Sequence, residues 1–298
     1  MSVATIGFFD GVHLGHRQVI ETLVSRARET GREALVVTFW PHPRAVLQQD
    51  ARDLRLLTTL EEKKQILAAL GVDRVEVLPF TRNLAALTAQ DFLTLLKEKF
   101  NVSMLVMGYD NHIGSDHKTV LDFSCANQAL SAHEPGISVV PCANKPVFAY
   151  EIGRPVSSSL IRSVLADGKV EDAAEMLGYQ YALKGVVVAG KRLGRTLGYP
   201  TANMRLYEPL KLVPGNGVYA VDVEVLGRKY KGMTNIGTRP TVGGQSITIE
   251  THILDFDEDI YGLPMTIWFR RRVRDEVHFA SLEELKAQLG RDALNCKK

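Results

Sequence analysis

The periodicity of the chain changes once, near Tyr179, and no single layered fold accommodates both halves. Before that point short apolar runs alternate with amphipathic stretches: VATIGFF, RQVIETLVSRARETG, EALVVTFWPHP, LEEKKQILAALG, RVEVLPF, LTAQDFLTLLKEKF over residues 87–100, and SMLVMGYD. Strands separated by helices in this way build a mainly parallel sheet covered on both faces. After Tyr179, ALKGVVVAG, GVYAVDVEVLG, RKYKGMTNIG, SITIETHILDF and MTIWFRRRVR are strand-like runs between glycine and proline turns, with no long helix among them. That is the pattern of a small antiparallel barrel. SLEELKAQL, residues 281–289, then forms a closing helix with a serine-to-glutamate cap. The expected organisation of the 298 residues is an α/β domain over 1–180, with SSLIRSVLADGKVEDAAEMLG as its linker helix, and a barrel domain over 181–298.

Charge is nearly balanced, 36 Lys and Arg against 34 Asp and Glu, so a nucleic-acid partner would need a local basic surface, and no such block is present. RRR at 270–272 reads first as a solvated strand edge. Cys125, Cys142 and Cys296 lack metal-ligand spacing and suit a reducing compartment. No long apolar span or basic-plus-apolar leader is seen, so the expectation is a cytoplasmic protein with no membrane partner.

In a parallel sheet the ligand crevice lies beyond the carboxyl ends of the strands. Gly7 to Gly15, Trp40 to Pro43 and Gly108 to His117 all follow apolar runs and are expected to meet there. In GFFDGVHLGH, His13 and His16 stand three apart where a helix begins, on one side of its first turn and beside uncompensated N–H groups that favour an anion. Gly11 and Gly15 permit close backbone approach. Imidazoles in this position can stabilise charge on a transferring phosphoryl or nucleotidyl group, although the spacing also serves a plain turn and cap. VSSSLIR at 156–162 offers Ser158, Ser159 and Arg162 at another helix start, either as caps and a surface charge or as a second phosphate site.

In the second half GKRLGRTLGYPTAN, residues 190–203, is too glycine-rich for an ordinary strand and lacks the Walker spacing. Amides beside Gly190, Gly194 and Gly198 suit phosphates, and Thr201 and Asn203 suit a magnesium ion shared with them; a polar hairpin tip is the plain alternative. Glu250, in an otherwise apolar strand, serves as a general base if it faces a crevice and as the polar half of the alternation if it faces water. Asp255, Asp257 and Asp259 read as turn residues.

GFFDGVHLGH, TFWPHP, LLTTLEEKKQILAALG and VSSSLIR resemble the FAD synthetase module of bacterial bifunctional riboflavin kinase/FMN adenylyltransferases. GKRLGRTLGYPTAN, NIGTRPTVGG, IETHILDFDEDIYG and RRRVRDEVHFASLEELKAQL resemble the riboflavin kinase module of the same family. The resemblance implies a Rossmann-like nucleotidylyltransferase domain, a six-stranded barrel with a terminal helix, and two reactions: riboflavin plus ATP gives FMN, and FMN plus ATP gives FAD and pyrophosphate. It implies catalytic roles for His13, His16 and Glu250, and Mg2+ at Thr201 and Asn203. It assigns nucleotide and phosphate contacts to Gly7, Phe8, Asp10, Gly11, Ser158, Ser159, Arg162, Gly190, Arg192, Gly194 and Gly198. It assigns flavin contacts to Asp110, Asn111, Asp255, Arg274 and Glu276. The implied partners are the small molecules riboflavin, FMN and ATP, with the chain a monomer or weak homo-oligomer. In GYDNHIGSDHKTV, Asn111 and Ile113 replace aromatic residues usual in the family, and Ser159 replaces a threonine. These departures motivate a second reading, a flavin- or nucleotide-binding regulatory protein retaining only the kinase activity or neither.

Overall fold

A computed structural model describes residues 1–47, 53–108, 111–119, 122, 136–142, 147–149, 153–190, 193–241 and 244–297. The chain divides into two compact units, Met1–Ser157 and Ser158–Lys298.

In the first unit β1 (Ser2–Ile6), α1 (Leu14–Glu29), β2 (Glu33–Trp40), α2 (Pro43–Leu47), α3 (Leu60–Ala69), β3 (Arg74–Pro79), α4 (Arg82–Ala85), α5 (Ala89–Phe100), β4 (Val102–Met107) and β5 (Ser138–Pro141) follow one another. A short hairpin, β6 (Phe148–Ala149) and β7 (Arg154–Pro155), comes after them. The five-stranded sheet runs β3-β2-β1-β4-β5 and every pairing is parallel. Successive side chains go to opposite faces: Ala4, Leu35 and Leu105 pack with Phe92 and Leu96 of α5, whereas Val3, Val36 and Val106 pack with Ile20 and Leu23 of α1. Both faces are therefore covered, which is why the strands read as continuous apolar runs. Helix α3 begins in a capping box in which Thr59 and Glu62 satisfy each other's backbone N–H. Helix α5 is capped by Thr88 and ends at Asn101, whose φ is 55°.

The second unit opens with α6 (Ser158–Ala166) and α7 (Val170–Leu177). β8 (Ala182–Val188), α8 (Leu193–Thr196), β9 (Ala202–Leu206), β10 (Gly217–Val225), β11 (Arg228–Thr241), β12 (Gly244–Ile253), β13 (Pro264–Arg274) and α9 (Leu282–Lys297) complete it. Six strands close a barrel in the order β10-β11-β12-β9-β8-β13, all pairings antiparallel.

The linker helices pack with this barrel. The Arg272 backbone N–H donates to the Glu171 carboxylate (3.2 Å), and its guanidinium donates to the carbonyls of Asp167 (2.8 Å) and Asn216 (2.7 Å). Gly168, at φ 76°, sits where a Cβ would lie 2.6 Å from the Tyr219 hydroxyl, so only glycine fits this corner.

The closing helix runs past the predicted end at residue 289 to Lys297. A mid-helix Gly290 costs about 1 kcal/mol relative to alanine. The buried residues Asp292 and Cys296 beyond it are what hold the last two turns to the barrel. Among the described residues no helix is long and apolar enough to cross a membrane.

Candidate active sites

The loop between β1 and α1 is held in an unusual backbone path, with φ of 51° at Phe9, 81° at Gly11 and 39° at Val12. A β-branched valine at positive φ is strained and persists only where neighbours over-determine it. Asp10 is the main neighbour. Its carboxylate accepts from the N–H groups of Leu57 (3.0 Å) and Thr58 (3.1 Å), and the Gly11 N–H donates to the Thr58 hydroxyl (3.1 Å). At 3% exposure, Asp10 is turned into the protein, its carboxylate held by these backbone N–H groups. An inward carboxylate also keeps like charge away from an incoming anion. Asp10→Ala leaves two buried N–H groups without an acceptor and is expected to lower stability by about 3 kcal/mol, read from urea unfolding.

His13 is the N-cap of α1, its Nδ1 accepting from the His16 N–H at 3.4 Å. The two rings stack with centroids 3.6 Å apart and planes 16° from parallel. Gly15 makes room for this, since a Cβ there would lie 3.3 Å from the His13 ring. The Nδ1 of His16 is buried and has no hydrogen-bond partner among the described residues. Burial, then the neighbouring His13 and Lys63, hold the His16 imidazole well below its ordinary pKa. With its Nδ1 accepting from the His16 backbone, the neutral His13 ring carries its proton on Nε2 and presents a hydrogen-bond donor.

The Phe8 ring contacts both the His42 ring (4.1 Å) and the Lys63 ammonium (3.8 Å), which also donates to the Phe8 carbonyl. Lys63 is 1% exposed, and its burial pulls its pKa down to about 8. Nothing in LEEKKQIL separates it from Lys64, which pairs with Glu61 on the surface.

A cavity of about 310 Å³ opens beyond the carboxyl ends of β1, β2 and β4, lined by Ile6, Gly7, Phe39, Phe80, Met107, Asn111 and Ile113 among others. Its apolar walls suit a planar ring system. The departing residues Asn111 and Ile113 thus line the crevice, while Asp110 lies outside the described residues. Ser158, Ser159 and Arg162 occupy the first turns of α6, in the second unit.

In the barrel, Glu250 of β12 pairs in register with Asn203 of β9 on one side and Asn235 of β11 on the other. Cross-strand partners share a face, so the three polar side chains form one row. Glu250 alternates with the buried Ile249 and Thr251 and is half-buried on the opposite face. The Thr201 hydroxyl donates to its Oε2 at 3.5 Å, and Asn235 Nδ2 donates to Glu276 Oε1 at 3.3 Å. The row therefore extends from Thr201 and Asn203 through Glu250 and Asn235 to Glu276. Asn235 was not singled out in the sequence; its signal is its place in NIG, two residues before a glycine whose Cβ would collide with Glu276.

A Cβ on Gly190 would collide with the Asn203 amide and one on Gly194 with the Tyr199 carbonyl, while Gly198 sits at φ 86°. Arg192 lies outside the described residues. Beside Thr201 a cavity of about 240 Å³ is lined by Val187, Arg195, Thr251, Ile253 and the 256–261 loop.

Two of the expected flavin contacts, Asp255 and Arg274, each form an ion pair. Asp255, at a φ of 55°, meets the Lys297 ammonium at 3.0 Å. Arg274 donates from Nε to the Asp292 carboxylate at 2.8 Å, and Asp292 is 1% exposed. A carboxylate buried so deeply requires a paired cation, so Arg274 anchors α9.

Among the described residues no group of three or more His, Cys, Asp or Glu could hold a metal ion. A hydroxyl at Thr201 and an amide oxygen at Asn203 nevertheless fit a magnesium ion that takes its remaining oxygens from water and substrate phosphates.

A helix start with stacked imidazoles in one unit and a carboxylate–amide row on a barrel in the other are parts of a two-module phosphorus-transfer enzyme. The FAD synthetase family model matches residues 1–143, and the riboflavin kinase model matches residues 177–298. The chain is 41% identical over 297 residues to the bifunctional riboflavin kinase/FMN adenylyltransferase of Escherichia coli K12, covering 99% of this chain and 91% of that protein. It is 36% identical over 294 residues to the same-named protein of Bacillus subtilis, covering 98% and 90%. A crystal structure described as a macrolide-efflux protein from Streptococcus pneumoniae superposes with a TM-score of 0.89 at 34% identity, covering all of this chain and 94% of the other. The chain belongs to the bifunctional riboflavin kinase/FMN adenylyltransferase family.

Proposed function

We infer that this chain phosphorylates riboflavin at its barrel and adenylylates FMN at its N-terminal unit. The observation that carries the reading is the coexistence, in one chain, of the Glu250 row and the stacked His13–His16 pair. In the first reaction Glu250 accepts the proton of the ribityl 5′-hydroxyl as that oxygen attacks the γ-phosphorus of ATP, and ADP departs. Asn203 and Asn235 fix the carboxylate's surroundings, and the glycines at 190 and 194 let the backbone approach closely. Thr201 and Asn203 would hold magnesium, which neutralises polyphosphate charge.

In the second reaction an FMN phosphate oxygen attacks the α-phosphorus of a second ATP. The bond to pyrophosphate breaks, and FAD forms with no protein nucleophile. His13 and His16 donate ring N–H groups to phosphate oxygens on which charge builds. The apolar cavity at Phe39, Met107 and Ile113 takes a planar ring, and Ser158, Ser159 and Arg162 bind nucleotide phosphate. The reading places the protein in the cytoplasm, as a monomer or weak homo-oligomer.

An HPLC time course with riboflavin, ATP and Mg2+, repeated from FMN, tests this. Riboflavin is expected to pass through FMN to FAD. FMN accumulating without FAD would favour the second reading, a protein that retains only the kinase activity, for which the replacement of aromatic residues by Asn111 and Ile113 in the cavity is the motive. No conversion from either start would reject both activities.

A further inference from the structure

We propose that Lys63 is a positioning residue for adenylyl transfer: its buried ammonium fixes the Phe8 carbonyl, and with it the left-handed Phe9–Val12 path that delivers His13 and His16. The proposal rests on the adenylyltransferase reading of the N-terminal unit.

The geometry is specific. Lys63 rises from the start of α3, 1% exposed, and reaches the backbone of the loop after β1 rather than the solvent used by its neighbour Lys64. Its Nζ donates to the Phe8 oxygen, lies 3.8 Å from the Phe8 ring centroid, and is 3.5 Å from the Thr38 hydroxyl, which itself donates to Phe8 at 3.2 Å. The next residue, Phe9, has a φ of 51° and sets its ring edge against His16. An ammonium buried this thoroughly is costly, so a position that only needed filling would be met more cheaply by an apolar side chain. The contact it makes is with the backbone at the point where the loop turns.

The titratable and charged groups around it are Asp10 on the loop, His16 with His13 stacked upon it, and His42 against the Phe8 ring; Glu62, adjacent on α3, belongs to the helix's capping box. Asp10 favours the charged form of Lys63, and burial, the larger effect, opposes it. With a folded pKa of about 8 against 10.5, Lys63 loses its charge as pH rises through about 8. Between about 8 and 10.5 the unfolded chain holds more protons, so Lys63's own contribution to stability rises with pH across that window. A positioning role thus makes activity fall where this group makes stability rise, which a purely structural role does not.

The test measures FMN-to-FAD and riboflavin-to-FMN rates by HPLC on the full chain, from about pH 6.5 to pH 9.5, for wild type, Lys63→Met and Lys63→Arg. Lys63→Met is expected to slow FAD formation about 30-fold, as for loss of a buried charged hydrogen bond, with the kinase rate within about twofold. Wild type should show a basic limb near pH 8 for FAD formation only, and the permanently charged Lys63→Arg should regain part of the rate without that limb. A flat wild-type profile, a Lys63→Met rate within about threefold of an active wild type, or equal loss of both activities overturns the proposal. Wild type that makes no FAD from FMN at any pH instead overturns the adenylyltransferase reading, and the proposal with it.

Discussion

Glu250→Gln is expected to slow conversion of riboflavin to FMN by about 10²- to 10⁴-fold while leaving FMN-to-FAD conversion unchanged within about twofold. The amide keeps the volume of the side chain and an oxygen for the Thr201 hydroxyl, so the β9–β12–β11 row stays in register. What it loses is the capacity to accept the proton of the attacking alcohol. The effect should therefore appear in kcat with little change in the KM for riboflavin. Separate HPLC rates from riboflavin and from FMN decide it. Near-normal kinase activity in this variant would move the base to Glu276, the other carboxylate of the row, which Asn235 holds at 3.3 Å.

His16→Ala is expected to slow FAD formation by about 10²- to 10³-fold, with riboflavin phosphorylation intact. The loss is of a preorganised imidazole, held against His13 in the stacked pair and kept from protonation chiefly by burial. The same burial gives a pH signature. The folded state holds the His16 pKa well below 6.5, so below that pH the unfolded chain binds a proton that the folded chain refuses, and stability falls as pH falls. His16→Ala removes this component and should flatten the acid side of the stability profile, read from thermal midpoints across about pH 5 to 7. An unchanged FAD rate would leave the helix start as a turn and cap.

The two architectures were legible because their periods differ: Val3 and Ala4 face opposite covered sides of a parallel sheet, whereas Glu250 alternates with Ile249 and Thr251 on a barrel wall. The stacked histidines were legible too, because a three-residue spacing on a helix is a local fact. Partners distant in sequence were not. Asp10 turns inward because its acceptors are wanted 47 residues away at Leu57, and Arg274 is claimed by Asp292 on a helix that the local pattern ended too early. Lys63 looked like a member of a charged face, and only the third dimension shows a carbonyl above it. Composition cannot report where a side chain finds its partner.

The grip of Arg272 on the two helices ahead of the barrel bears on where the chain can be divided. The riboflavin kinase match begins at residue 177, yet the acceptors for Arg272 on Asp167 and Glu171, and the glycine corner under Tyr219, all lie before it. A fragment starting at the sequence boundary, residue 181, would strip a guanidinium, a peptide N–H and the flank of a tyrosine of what they lean on, whereas one starting at Ser158 carries the whole brace. The barrel's own foundations are laid some twenty residues upstream of the first strand that belongs to it.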